Sequence, residues 1–555
     1  MTLSAKLALY YHTLRYLKPG QIYWRLWYRL SRPRLDSSPR PDLRSVGGDW
    51  VATARRRQSL EDGDKFSFLN ETGRISDLGW DGPEREKLWR YNQHYFDDLN
   101  AADADARSDW HQALIKRWIY DNKQGQGTGW EPYPISLRIV NWVKYLLSGR
   151  SLDDMCLQSL AIQTRFLSQR IEWHILGNHL FANAKALVFA GLCFEGPEAR
   201  KWLDLGLDII VQELPEQVLP DGGNFERSPM YHAIFLEDLL DLINLASAYP
   251  GVVGNEQVDQ WRATAIKMLN WLQAMCHPDG EITFFNDAAI GVAPSPAEIH
   301  AYAYRLGISS DQLDKSSGTP TVSRFPDSGY IRLETLNAVA FLDVAPIGPD
   351  YLPGHAHADT LSFELSLFGE RVLVNGGTSQ YGSGPVRLNE RGTKAHNTVA
   401  INGKNSSEVW SGFRVARRAY PRDLEVEQVD RSVFVNCAHD GYRRLPGQPV
   451  HKRSWQLCPR KLVVQDQVVG EFETAVAHFH FHPDIKVIAI DHRTYLLRLP
   501  GSGQEIQLFF LNGAASIEQG FFAPEFGIRL KSQCLAVRFV SDNDIAVEIS
   551  WSIDE

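Results

Sequence analysis

Gly354-His355-Ala356-His357-Ala358-Asp359-Thr360-Leu361-Ser362-Phe363-Glu364-Leu365-Ser366-Leu367 joins a cluster of potential bases and metal ligands to a run in which apolar and polar residues alternate. Alternation with period two is a strand signal, so the chemistry-bearing residues stand at the edge of a sheet. If the strand reaches back through the cluster, His355, His357 and Asp359 project to one face, where a single ion or substrate meets all three.

Toward the C-terminus short apolar runs recur, at Ala338 to Val344, Leu462 to Val464, Ile488 and Tyr495 to Leu499, separated by Gly, Pro, Asn and Asp. Their number predicts an antiparallel β-sandwich. On the N-terminal side, from about residue 85 to 305, the spacing is helical. Ile139, Trp142, Val143 and Leu146 share one face, and Tyr231, Phe235, Leu239 and Leu242 share another behind Ser228-Pro229, a cap followed by Pro at the first helical position. Successive amphipathic helices of this kind predict a helical barrel or solenoid. Between the halves the chain turns polar, with Ser309, Ser310, Ser316, Ser317, Gly318 and Pro320 marking a boundary. The expected multidomain α and β organisation is therefore a helical extension over 1–84 packing on the helices of 85–310, followed by the sandwich of 322–555.

The chain has 555 residues, 44% hydrophobic and 23% charged, with a formal net charge of −9, which argues against a general nucleic-acid binder. An acidic polymer would need a local basic lining, for which Arg414, Arg417, Arg418, Arg443, Arg444 and Arg453 are available unless they form a solvated surface. Six scattered cysteines without CxxC spacing indicate neither a disulfide framework nor a zinc ribbon. The apolar run Leu7 to Tyr11, bounded by Lys6 and His12, is no secretory signal, and no segment is long and apolar enough to span a bilayer. A cytoplasmic location is expected, the periplasm if the start is misassigned. The aromatic and basic segment Ile22 to Leu30 either touches a membrane surface or docks on the rest of the protein.

Three stretches of the helical half carry candidate site residues, each with a structural alternative. Gly177-Asn178-His179 heads a helix, where Asn178 either caps it or joins His179 in donating hydrogen bonds to an anion. In Asn224 to His232, Tyr231 either packs in the core or reaches a cleft from the first helical turn, with Glu226 nearby. In Gly129 to Arg138, Trp130 suits a sugar face and Arg138 a carboxylate, or the loop simply packs helices. In the sheet half His357 and His396 are possible metal ligands, Asn375 offers a neutral oxygen, and Asp359 can support them. There is no GxSxG, P-loop or HExxH.

On Gly177-Asn178-His179, Glu226 to Tyr231, Gly354 to Asp359, Val372 to Gly377 and Ala395-His396-Asn397-Thr398, the chain resembles the heparinase II/III-like polysaccharide lyases and is similar to oligoalginate lyases. The resemblance implies an incomplete α/α toroid followed by an antiparallel β-sandwich, with the substrate cleft between them. It implies Asn178 at the substrate carboxylate, assisted by His179, and Tyr231 and His355 as catalytic residues. His357, His396 and the Asn375 position would hold a structural divalent metal, usually zinc, although the family often has Asp where this chain has Asn375. The expected reaction is β-elimination in a uronate-containing polysaccharide or oligosaccharide, in which donors neutralise the carboxylate, a base takes the C5 proton and an acid protonates the C4 oxygen. Two rivals stand beside it: a glycoside hydrolase on the same scaffold using Glu226, Asp359 or a metal-bound water, and a noncatalytic glycan-binding protein of exopolysaccharide production.

Overall fold

The computed structural model describes residues 2–311, 318–540 and 543–552. Ser316 and Ser317 of the expected boundary lie outside the described residues, between the last helix of the helical half, Pro296–Arg305, and the first strand of the sheet half, Thr321–Phe325.

Helices of the first half differ in how much of their surface they bury. Pro132–Leu147, Gly177–Cys193 and Pro229–Ala248 are buried almost all round. Before, between and after them in sequence, Ser108–Asp121, Pro197–Gln217 and Asn255–Ala274 bury a single face each, whereas Asp154–Ser168 is buried along most of its length. An inner helix has neighbours on every side, so its polar stripe must also find partners. Lys144 and Lys185 both reach Asp241 Oδ2 at 2.5 Å, an ion cluster that joins the three inner helices.

The second half opens with a five-stranded antiparallel meander, Thr321–Phe325 to Glu370–Leu373. It packs on an eight-stranded sheet spanning Pro421–Val429 to Asp544–Trp551, with a four-stranded sheet alongside. The strand Ala338–Asp343 explains its own unbroken apolar run. Ala338, Ala340 and Leu342 enter the sandwich core, while Val339 and Phe341 turn the other way and meet Trp271 and Met275 of the helical half. Its neighbour Phe363–Leu367 alternates for the same reason. Phe363, Leu365 and Leu367 face the sandwich core, and Glu364 and Ser366 hold the two ring nitrogens of His277 at 2.8 and 2.7 Å. The polar face of this strand is therefore an interface between the halves, not a solvated surface.

The strand does not reach back to the histidines as expected. It begins at Phe363, after a turn in which Ser362 N donates to Asp359 O and Leu361 takes a left-handed φ of 63°. His355, His357 and Asp359 lie in the loop before it. The helical extension also needs correction: after Leu30 residues 31–64 form a strap that is neither helix nor strand, and the rest of it is a hairpin, Lys65–Phe68 with Glu71–Arg74, and a single helical turn, Ile75–Leu78. Pro33, Pro39 and Pro41 lack backbone donors and push the preceding residues out of the helical region. Side chains and bridges hold this strap down, as Arg44 Nε donates to Leu192 O and Arg56 pairs with Glu237. The first helix, Leu3–Leu14, leaves the toroid altogether and packs on the hairpin at Val409–Val415 of the sheet half, where Trp410 Nε1 donates to Thr13 Oγ1 at 3.0 Å.

Candidate active site between the two halves

A cleft of about 1190 Å³ runs between the halves. Asn178, His179, Glu226 and Tyr231 line it from the toroid, and His355 and Tyr381 line it from the sheet half. The rings of Tyr231 and His355 lie 3.8 Å apart at their centroids, so the phenol and the imidazole expected from sequence do meet.

Each is placed by local structure. Ser228 caps its helix as expected, accepting from Tyr231 N at 3.2 Å, with Pro229 at the first helical position. The same Ser228 hydroxyl donates to Asp287 O, which ties the start of that helix to the residue that orients His355. His355 Nδ1 stands 2.9 Å from Asp287 Oδ2. A carboxylate only accepts, so Nδ1 carries a proton, and Nε2 is the ring nitrogen turned to the cleft. Burial alone would raise the Asp287 carboxyl, but Arg387 and hydrogen bonds from His355 and His357 hold it well below the usual range. It is an ionised hub with Arg387 Nη2 at 2.7 Å and Thr378 Oγ1 at 3.2 Å.

Burial also pushes the Tyr231 hydroxyl well above 10, and its oxygen is 2.8 Å from that of Tyr381, whose own hydroxyl is raised by burial as well. Tyr231 therefore rests as the neutral phenol, a proton donor. Glu226 Oε2 is 3.8 Å from His355 Nε2, and its desolvation favours the neutral carboxylic acid. Asn178 is not the helix cap. Leu176 occupies that position with φ 68°, and Asn178 follows Gly177 inside the first turn. Gly177 suits the left-handed φ of 56° here, and a Cβ would in addition displace Leu352 Cδ2, 2.5 Å away in the loop leading to His355. His179 Nδ1 lies 3.1 Å from Glu172, whose charge overcomes the lowering by burial and raises the imidazole.

Trp130 and Arg138, expected at the substrate, belong to the core. Trp130 packs between Trp118 and Phe166. Arg138 is 0% exposed, its guanidinium 3.7 Å from the Trp118 ring centroid and donating to Gln163 Oε1, His94 O and Gly129 O. A buried cation survives only with its donors satisfied, and these carbonyls satisfy them. Asp359 does not reach the cleft either; its Oδ2 accepts from Asn286 N at 2.9 Å.

His357, His396 and Asn375 form a chain rather than a three-sided cage. His357 Nε2 is 2.8 Å from Asp287 Oδ1, His357 Nδ1 is 3.3 Å from His396 Nε2, and His396 Nδ1 is 3.2 Å from Asn375 Oδ1. Burial lowers His357 to about 4 and His396 to about 3, so both rings are neutral at pH 7. Their outer nitrogens face acceptors, and the inner two present lone pairs to each other unless a proton or cation lies between them. Two nitrogens at this spacing suit an ion, but Asn375 spends its oxygen on the far side of His396. Among the described residues no group of three His, Cys, Asp or Glu converges on a metal position. The donor set thus falls short of a zinc site. Chelation followed by thermal melting is expected to leave the melting temperature unchanged, and a fall of several degrees would restore the metal.

Asp287, Tyr381 and Arg387 were not visible in the sequence as site residues. Tyr381, in Gln380-Tyr381-Gly382-Ser383-Gly384, carried a weak signal as an aromatic in a glycine-rich loop; Asp287 and Arg387 carried none.

Comparison with known proteins places this architecture. The family model described as Heparinase II/III N-terminus matches residues 100–301, and that described as Heparinase II/III-like, C-terminal, matches residues 317–552. The chain is 25% identical over 527 residues to a heparin-sulfate lyase of Bacteroides stercoris, covering 84% of this chain and 75% of that one. It is also 25% identical over 403 residues to the FtsZ-localized protein C of Caulobacter vibrioides, covering 67% of this chain and 64% of that one. The crystal structure of heparinase III superposes with a TM-score of 0.69 at 17% identity, over 96% of this chain and 90% of that one, and shares the fold. With its two halves matched in order by the two family models, the chain belongs to the heparinase II/III-like family.

Proposed function

We propose that this chain is a polysaccharide lyase that cleaves a uronate-containing glycan by β-elimination, with His355 as base and Tyr231 as acid. The observation that carries the reading is the close ring contact of Tyr231 and His355 on the cleft, with His355 oriented by a buried, ionised Asp287.

The chemistry follows from the protonation states. His355 Nε2 takes the C5 proton, and the electron pair left behind forms the C4–C5 double bond as the C4–O bond breaks. Tyr231 gives its proton to the departing oxygen, and Tyr381, hydrogen-bonded to it, lies on the path by which the phenol is reprotonated. As C5 loses its proton, charge builds on the adjoining carboxylate. Asn178 is a donor available to bind it, joined by His179 and Glu226 in their protonated forms, which Glu172 and burial respectively favour. No step runs through a metal.

Charge in the cleft supports a lightly charged substrate. Arg57 pairs with Glu525, Arg418 with Asp350 and Lys87 with Glu131, which leaves Arg25, Arg414 and Arg529 as lining cations without an ion pair among the described residues. Isolated carboxylates suit this lining better than dense sulfation. A hydrolase is disfavoured because Asp359 is outside the cleft and Asp287 is locked by Arg387, leaving Glu226 without a second free carboxylate at the Tyr231–His355 pair. Incubation with unsulfated and sulfated uronate glycans tests the proposal: ultraviolet-absorbing unsaturated ends should appear, faster from the unsulfated polymer. Reducing ends without absorbance would replace elimination with hydrolysis, and glycan binding without either product would leave a binding protein.

Substrate affinity should depend on pH in a fixed direction. The raised His179 keeps its charge below its elevated pKa and loses it above, while the raised Glu226 stays neutral further into the acid-to-neutral range than an ordinary carboxyl. Both changes weaken carboxylate binding as pH rises, so KM should increase toward alkaline pH, and His179→Gln should flatten that increase. A KM that falls with pH would reassign these two residues.

A further inference from the structure

We propose that the N-terminal helical pair seats the protein on an anionic phospholipid membrane surface beside the mouth of the cleft. This inference is independent of the reaction assigned above.

The helix Pro19–Leu30 uses one side to dock and leaves another free. On the docked side Gln21 is buried and donates to Tyr351 O, Trp24 stacks on Trp173 at 5.9 Å, and Tyr28 lies under Arg170 at 3.4 Å. On the free side Ile22, Tyr23, Leu26, Trp27 and Leu30 are between 51 and 80% exposed. Their spacing of three and four residues makes them one continuous stripe. The preceding helix Leu3–Leu14 adds Leu3, Leu7 and Tyr11, also more than 60% exposed. Packing against the rest of the chain therefore accounts for only half of the aromatic segment.

Charge selects the occupant. The first 35 residues contain seven Lys or Arg and no Asp or Glu, in a chain whose net charge is −9. Arg25 and Arg29 are both exposed and flank the stripe on its Ile22 edge. An apolar stripe with interfacial Tyr and Trp, bordered by cations, fits the boundary between acidic headgroups and acyl chains. A second copy of this chain would bring an equally cationic stripe against the first and is disfavoured by repulsion. Leu17, Gln21 and Arg25 also line the cleft, so a docked molecule would hold its cleft mouth next to the membrane. A glycan chain lying at or emerging from that surface would then meet the site without diffusing to it.

Flotation of the full chain with phosphatidylcholine vesicles, with and without phosphatidylglycerol, is the test. The protein should float with the anionic vesicles, remain largely unbound with the neutral ones, and dissociate as salt is raised. Leu26→Glu with Trp27→Glu should abolish flotation while the melting temperature and lyase assay stay as in the parent. Arg29→Glu with Arg32→Glu, a surface change that leaves the apolar stripe intact, should weaken binding by roughly fivefold or more per cation replaced. Failure of the unaltered protein to float with anionic vesicles would overturn the proposal. So would flotation that survives both pairs of substitutions, or a dimer in solution that Leu26→Glu with Trp27→Glu converts to monomer.

Discussion

Tyr231→Phe is expected to lower kcat by about 10³-fold, within the range that a positioned general acid supplies, with KM and the melting temperature nearly unchanged. The substitution removes one oxygen and keeps the ring, so the ring contact with His355 and the helix capped by Ser228 persist. Tyr381 loses its 2.8 Å partner but still faces the cleft and can recruit water. Because burial favours the neutral phenol, the missing group is the proton donor to the leaving oxygen, and substrates with better leaving groups at C4 should lose less. Initial rates of ultraviolet-absorbing product measure both effects. A variant with more than a tenth of the parent kcat would move the acid elsewhere, with Tyr381 the next candidate.

Asp287→Asn should cost still more, on the order of 10³- to 10⁴-fold in kcat, by removing the carboxylate that fixes the His355 tautomer. An amide in that place can offer His355 Nδ1 a hydrogen instead of accepting one, which would turn the ring's lone pair away from the substrate. Arg387 would at the same time lose its buried partner, and breaking such a pair typically costs about 3–5 kcal/mol. The melting temperature must therefore be read beside the rate. The catalytic claim survives only if the variant, assayed well below its melting temperature, stays inactive and its pH–rate profile loses the limb assigned to the base. An Asp287→Asn enzyme that is merely less stable would reduce Asp287 to structural support.

Much of this site was legible because its parts are short motifs. Ser228-Pro229 announces a helix start, which puts Tyr231 in the first turn, and the structure uses both residues in that way. Histidines at 355, 357 and 396 are rare, chemically distinctive residues whose grouping survives any uncertainty about secondary structure. Of the strand read from the alternation over 360–367, the part from Phe363 is present, but Thr360 to Ser362 and the inferred extension to His355 are not, because a turn at Asp359–Ser362 takes the chain out of the sheet. Trp130 and Arg138 show the opposite failure. Aromatic and guanidinium groups suit a sugar acid equally well as they suit one another, and local sequence does not say which partner they face.

By itself the sequence determined that a helical half precedes a sheet half, the cap that positions Tyr231, and the inventory of residues able to do acid–base chemistry. These follow from periodicity and side-chain identity, which are properties of neighbours along the chain. Only the tertiary structure decided that Asp287, 68 residues before His355, would be the carboxylate that orients it, that Tyr381 would meet Tyr231 across 150 residues, and that Asn375 would face the outer nitrogen of His396. Burial is likewise a property of the assembled halves: only the packing of helices against sheet desolvates the Tyr231 phenol and raises it further above its ordinary value, which makes the phenolate still less accessible.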